Sequence, residues 1–419
     1  TYKLEGAGFV DFIFNKEKIF FAFNPDYPEE SVLFSKSIEN KTYQNYFIVM
    51  KKKLLIILND SLADLIEKGE IVERYYNPNN YFNEIHFILI NQKKILNKRK
   101  LKLMTGKANI HINHINLDLI TKISIILNFF TSLPIINKYH RIVQKIQPNV
   151  IRCYNINYSI FLAYLAKKKL KFPYIISLHT CHEDEIQKLN IFKRIFINLL
   201  KFRIKDVLIN SYKILPVYKS AQVFLEKMGI KNYEVCYNFI GRLKTTKINK
   251  PTKNNLKLIC TNRQYKTKNP INIIKAVENI SNVHLTLVGN GELHESLQNY
   301  VFEKKLKNKI TFIKSITNME YLKILFKNDI LIINTDMFEF GKSVIEAMSL
   351  KKPIIINSFC LFNTNSASGY KKSILRLLKQ KNYRNKLGNN GFRTYKLKYE
   401  SKKMELKHTS IYEDIINKY

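Results

Sequence analysis

The chain has 419 residues, 46% of them hydrophobic, which excludes a disordered chain and is too much for one ordinary core, so two domains are expected. Its formal net charge is +37, from 70 Lys and Arg against 33 Asp and Glu; this suits an anionic partner (a nucleotide, a phospholipid surface or nucleic acid) or a plain compositional drift towards Lys, Asn and Ile. The five cysteines, Cys153, Cys181, Cys236, Cys260 and Cys360, are far apart and odd in number, so neither a disulfide framework nor a zinc site is indicated, and a reducing, cytoplasmic compartment fits.

Residues 1–49 read as an N-terminal extension or the remnant of an upstream domain. They open on Thr1 with no secretory signal. Residues 9–14 and 19–23 suit two strands around a polar turn at 15–18. At Lys51-Lys52-Lys53 the character changes. Leu54-Leu55-Ile56-Ile57-Leu58 is an uninterrupted apolar run, as in a strand buried on both faces of a parallel sheet. A helical pattern follows through Leu62, Leu65 and Ile66 to Gly69, then a strand at 85–90. The most apolar stretch, 117–136, carries Lys122, Asn128 and Pro134 and falls short of a membrane-spanning helix. Strands are expected at 150–153 and 174–178, the latter ending in His179, with a helix at 158–168 between them. Residues 207–209 and 214–217 are short strand candidates, and 220–228 a helix closed by Gly229. Residues 50–240 thus read as one Rossmann-like α/β domain.

Residues 241–256 form a Lys- and Thr-rich linker with Pro251. A second alternation fills 257–400. Strands are expected at 256–260, 283–288, 310–313, 330–333 and 354–356, and helices at 270–280, 294–303, 319–326 and 342–349. Residues 401–419 read as a C-terminal helix packing back towards the first domain.

Three constellations in the second domain each follow a strand. Arg263 and Lys268 lie at a strand-to-helix junction, where open α/β sheets bind ligands. Arg263 offers a planar fork to phosphate oxygens and Lys268 a point charge; solvated loop charges are the plain alternative. Gly289-Asn290-Gly291 lets backbone approach a ligand closely ahead of a helix N-terminus that attracts anions, unless it is simply a tight turn. The third glycine and the later acidic residue of a dinucleotide fingerprint are not evident, which argues against a dehydrogenase. In the third, Gly341 permits a sharp entry into a helix with apolar face Val344, Ile345 and Met348. Its N-terminal amides suit a diphosphate. Glu346, about a turn in, suits a vicinal diol such as ribose; an ordinary exposed helix glutamate is the alternative.

In this order and within one domain, these motifs resemble the nucleotide-sugar domain of the GT-B fold glycosyltransferases, family 4-like (glycosyl transferases group 1). The resemblance runs over roughly residues 50–400 and is closest over 256–356. It implies two Rossmann-like doubly wound domains facing each other across a cleft. It also implies transfer of a sugar from a nucleotide-diphosphate donor to a glycan or lipid-linked acceptor, with retention, in cell-surface polysaccharide or glycolipid synthesis. No cofactor and no metal are expected. Arg263 and Lys268 would bind the diphosphate, and Gly289, Gly291, Phe340, Gly341, Lys342 and Glu346 would complete the donor site. Glu339 and the strand-end His179 would be the catalytic pair near the transferred sugar. A neutral imidazole there can hydrogen-bond a sugar hydroxyl or help move a proton.

The sequence departs from the family in three places. The position eight before Glu346 is Phe338, and Glu339 stands one residue late. Either a one-residue deletion keeps the carboxylate, or Phe338 fills its slot and a catalytically degenerate protein remains that binds nucleotide or a partner without transfer. Leu350-Lys351-Lys352-Pro353 lacks the usual Gly, and 357–370 is short. Asn238 matches the family's Asn at the domain hinge, and Tyr75-Tyr76-Asn77-Pro78 resembles a first-domain loop of some polysaccharide transferases. His182-Glu183-Asp184-Glu185 could mimic a metal site but suits a solvated loop. Residues 191–203 have helical apolar spacing with a basic opposite face. That fits peripheral contact with an anionic membrane at its inner face, or packing on the sheet. No nucleic-acid motif is present.

Overall fold

The structure is a computed structural model and describes residues 19–22, 32–35, 51–127, 133–179, 200–238, 240, 255–334, 341–356 and 366–419. β1 (Ile19–Ala22) and β2 (Val32–Ser35) pair antiparallel. The strand expected at 9–14 lies outside the described residues.

The first αβ unit contains β3 (Lys53–Leu58), α1 (Leu62–Glu67), β4 (Glu84–Ile90), α2 (Lys98–Thr105), β5 (Asn109–Ile115), α3 (Leu119–Leu127) and α4 (Pro134–Ile146). It continues with β6 (Val150–Tyr154), α5 (Tyr158–Leu170), β7 (Tyr174–Leu178), α6 (Lys201–Ile209), β8 (Lys213–Pro216) and α7 (Lys219–Lys227). Its sheet runs β5-β4-β3-β6-β7-β8, parallel throughout. Parallel neighbours need crossover helices, and those cover both faces. Leu55 and Ile57 therefore face a core with α3 to α7, while Leu54 and Ile56 face one with α1 and α2.

The second unit contains β9 (Leu256–Thr261), α8 (Pro270–Glu278), β10 (Val283–Val288), α9 (His294–Glu303), β11 (Ile310–Ile313) and α10 (Asn318–Lys327). β12 (Ile330–Ile333), α11 (Lys342–Ser349), β13 (Ile354–Ile356), α12 (Ala367–Lys379) and α13 (Lys381–Lys398) complete it. Its sheet, β11-β10-β9-β12-β13, is also parallel.

The final helix, α14 (Ser401–Lys418), returns to the first unit. Its Ile411, Tyr412 and Ile415 enter the core beside Leu54 and Ile56. Arg74 Nη2 donates to Glu405 at 3.1 Å, Asn79 Nδ2 to Thr409 Oγ1 at 3.1 Å, and Lys407 pairs with Glu234 at 3.0 Å.

Residues 207–209 are the last turn of α6 and not a strand: Ile204, Val207 and Leu208 are buried at helical spacing. Period alone does not separate a short buried strand from the end of a buried helix. β5 was not expected from the sequence; it is an edge strand whose Asn-Ile-His-Ile-Asn-His-Ile run is largely uncovered. The apolar stretch 117–136 contributes α3 and the start of α4, and no helix among the described residues is long and apolar enough to cross a membrane.

Candidate active site at the two switch points

In each sheet the strand order reverses once, between β3 and β6 and between β9 and β12. Chain connections leave in opposite directions there, so a crevice opens at the carboxyl ends of those strands. The second unit's crevice is built first by backbone. Asn262, just after β9, donates through Nδ2 to Asn334 O after β12 at 2.9 Å. Gln264 is buried; its amide donates to Asn290 O at 3.0 Å and its Nε2 to Gly289 O at 2.9 Å. A Cβ on Gly289, at φ +147°, would stand 2.1 Å from Asn262 O, and one on Gly291 would stand 2.6 Å from Gln264 O. The close approach that the sequence suggested for a ligand is thus made by the protein's own 262–264 loop, and the glycines set where Arg263 stands.

In front of that loop lies a cavity of about 190 Å³ lined by Arg263, Lys268, Gly341 and Ser343, with Asn334 and Tyr218. Arg263 is exposed and Lys268 half-buried. Gly341 caps α11, and a Cβ there would meet nothing within 4 Å. The Val344 amide donates to Gly341 O at 3.0 Å, while the amides before it at the N-terminus of α11 have no carbonyl a turn earlier to bond and border open space.

Glu346 is not an exposed helix residue. It is 3% exposed, and its Oε1 accepts from Asn318 Nδ2 at 2.9 Å. Burial pushes its carboxyl up to about 7, against the Asn318 hydrogen bond and the Lys342 charge. It lines neither cavity, and stands one turn behind Lys342 on α11.

The first unit's crevice is a cavity of about 320 Å³, bordered by Tyr75, Tyr154, His179 and Asn238, with Tyr218 and Lys342. Tyr218 lines both cavities and so joins them. The His179 amide donates to Asn155 Oδ1 at 2.8 Å, and its Nε2 lies 3.3 Å from the Tyr75 hydroxyl. Burial, then the charges of Arg152 and Lys342, push the imidazole down to about 3, against a hydrogen bond with the Asn238 side chain that favours the protonated ring. So weak a base hydrogen-bonds readily and carries protons poorly near neutrality. Lys342 Nζ, 3.5 Å from Glu70 Oε2, spans the two units. Nearby Gly69, at φ +70°, packs against Thr317, where a Cβ would lie 3.0 Å away.

The structure thus brings Arg263, Lys268 and Gly341 to one cavity and His179 and Lys342 to the adjoining one, with Gly289 and Gly291 as backing and Glu346 behind. Glu339 and Phe340 lie outside the described residues, as do Phe338, residues 182–185 and residues 191–199. Sequence reasoning missed Asn262, Asn334, Tyr154 and Tyr218. A usable signal existed, since each sits at or just beyond a strand's carboxyl end. Among the described residues one group, Glu84, His86 and His111, has metal-ligating atoms close together. It lies at the opposite ends of β4 and β5 from the crevice, with Glu84 engaged by His86 and Lys51. Cys153, Cys236 and Cys260 are buried free thiols.

Residues 242–394 match the family described as Glycosyl transferases group 1. No curated protein matches the chain in sequence. Among solved structures, Anabaena Alr3699/HepE in complex with UDP and glucose is similar at 13% identity and TM-score 0.61, over 86% of this chain and 98% of that one. A sucrose-phosphate synthase from Thermosynechococcus elongatus is similar at 13% identity and TM-score 0.63, over 88% and 100%. A glycosyltransferase from Rickettsia africae is similar at 16% identity and TM-score 0.63, over 88% and 100%. These likenesses extend over both αβ units: the chain has the GT-B fold, and its residues 242–394 match the glycosyl transferases group 1 family.

Proposed function

We propose that the protein transfers a sugar from a nucleoside-diphosphate donor to a glycan or lipid-linked acceptor, with retention and without a metal, in cell-surface polysaccharide or glycolipid synthesis. The observation that carries this reading is the convergence of Arg263, Lys268 and the open N-terminus of α11 on one cavity, joined at Tyr218 to the cavity holding His179. In transfer, the bond from the anomeric carbon to the diphosphate breaks with its electron pair on the diphosphate. The two cations and the α11 amides stabilise that charge. The acceptor hydroxyl forms the new bond to the anomeric carbon and passes its proton to an oxygen of the departing diphosphate. His179 orients that hydroxyl as a neutral hydrogen-bonding group. Glu346, which lines neither cavity before the donor enters, takes the nucleotide's diol as the donor seats, and Glu339 takes the sugar.

The HepE complex contains UDP and glucose, which supports a nucleotide sugar as donor here. Arg263→Ala and Lys268→Ala are each expected to weaken nucleoside-diphosphate binding by about ten- to a hundredfold, the worth of a charge-assisted hydrogen bond. Titration calorimetry reads this, and unchanged affinity in both variants would falsify the donor site. The position of Phe338 favours a second reading, a degenerate protein that binds nucleotide without transfer; any donor hydrolysis or transfer by purified protein excludes it.

A peripheral stay on the inner face of an anionic membrane accords with α3, which exposes Leu119 (71%), Ile120 (68%) and Ile123 (41%) beside Lys122. Phe202, 68% exposed on α6 between Lys201 and Arg203, adds to it. Flotation with anionic but not neutral vesicles, lost in Ile120→Asp, is the expected result.

A further inference from the structure

Beneath the larger cavity lies a charge that no carboxylate among the described residues answers. Arg152, in the middle of β6, is 2% exposed. Its Nε donates to Ser177 Oγ at 3.0 Å and its Nη1 to the Tyr412 hydroxyl at 2.8 Å. Both partners are neutral, and among the described residues no carboxylate pairs with it. Burying an uncompensated guanidinium is costly, because hydroxyl dipoles replace only part of its hydration.

Two residues on, Tyr154 lines the cavity. Its ring centroid lies 5.0 Å from the Arg152 guanidinium carbon and 5.6 Å from that of His179. Tyr154 is 7% exposed, yet its hydroxyl is buried with no hydrogen-bond partner among the described residues. Such a donor implies something else to bond. The charge acting most strongly on it is that of Arg152. Of the cavity's acids, Glu70 is tied to Lys342, and Asp60 is exposed.

A neutral sugar hydroxyl would satisfy Tyr154 and leave Arg152 uncompensated. An anionic oxygen answers both, accepting from the phenol while standing in the guanidinium's field. We propose that Tyr154, backed by Arg152, seats a carboxylate or phosphate oxygen of the acceptor sugar, so that the acceptor is an acidic or phosphorylated glycan. Tyr154 touches the acceptor; Arg152 is a positioning residue that acts through it. The inference rests on the transferase reading for its use, though the anion site itself stands on this geometry.

The test uses the full chain loaded with nucleoside diphosphate and three probes: D-glucose, D-glucuronate and glucose 6-phosphate. Wild-type protein is expected to bind one or both charged sugars at least about tenfold more tightly than glucose, read as a melting shift. Glucuronate against glucose 6-phosphate tells a carboxylate site from a phosphate site. Tyr154→Phe removes an oxygen that makes no hydrogen bond among the described residues, so its own melting temperature is expected to hold while the preference for charge disappears. Equal binding of glucose and both charged sugars, no binding of any probe, or an undiminished preference in Tyr154→Phe would each overturn the inference. Nucleoside-diphosphate affinity, measured on the same samples, separates the two readings. If it is present in both proteins while the probes fail, only the anion site is lost; if it is absent from wild type, the transferase reading fails.

Discussion

Glu346→Gln replaces a buried carboxyl with a carboxamide of the same shape. The new Oε1 can still accept from Asn318 Nδ2, as the carboxylate does at 2.9 Å. What changes is the cost of ionisation. The group has an ordinary value of 4.5 and is pushed up to about 7 in the folded protein. Below pH 4.5 it is protonated in both states and costs nothing. Between pH 4.5 and about 7 the unfolded chain releases the proton and the folded protein keeps it, so stability falls as pH rises. Above that window both states are ionised and the full cost remains, about 3 kcal/mol at 1.36 kcal/mol for each tenfold change in the equilibrium. Gln never ionises. The variant is therefore expected to match wild type near the acid end of the window and to exceed it by about 2–3 kcal/mol at about pH 8, or some 2–4 °C in Tm for a chain of this length. The chain has no Trp, so far-ultraviolet circular dichroism is the suitable probe of unfolding. Loss of the negative charge should also weaken the hold on a ribose diol by about tenfold, since charged hydrogen bonds are the stronger ones. A Glu346→Gln protein no more stable than wild type at about pH 8, or one offset equally at acid pH, would refute the burial argument.

Gly289→Ala should cost at least about 2 kcal/mol, because the added Cβ stands 2.1 Å from a backbone carbonyl and φ is +147°. Nucleotide affinity should fall with it as the Arg263 loop moves, whereas Gly341→Ala, facing open space, should leave the urea midpoint unchanged. Tyr412→Phe strips Arg152 of its Nη1 partner and is expected to lower stability by about 1–3 kcal/mol; an unshifted midpoint would speak against the docking of α14. The imidazole of His179, pushed down to about 3, stays neutral from about pH 5 to 8. The pH profile of kcat/KM should therefore have no limb from this group near its ordinary value, and a limb that vanishes in His179→Asn would contradict its placement.

Much of the architecture was legible because doubly buried parallel strands have a plain signature. Leu54-Leu55-Ile56-Ile57-Leu58 and Ile330-Leu331-Ile332-Ile333 admit little else, and both are central strands. The edge strand β5 was not legible, since half its side chains meet solvent and its run carries two His and two Asn. Residues 207–209 misled because a three-residue apolar run has no resolvable period, and only the packing of Ile204, Val207 and Leu208 shows a helix. For the site, Arg263, Lys268 and Gly341 were readable from their places after strands. The role of Gly289 and Gly291 was not, because a close backbone approach looks the same in sequence whether a ligand or a loop makes it.

Local hydrophobic period and turn chemistry were enough to set the two αβ alternations, the strand-end positions of the cationic loop and His179, and a helix at the C-terminus. Three features needed the folded chain: the guanidinium of Arg152 buried with no carboxylate beside it among the described residues, Glu346 hidden and reluctant to ionise, and Tyr154 and Tyr218 walling the cavities. Burial and field at a side chain are sums over neighbours brought from distant parts of the chain, Tyr412 against Arg152 and Asn318 against Glu346. No local pattern of residues carries that sum.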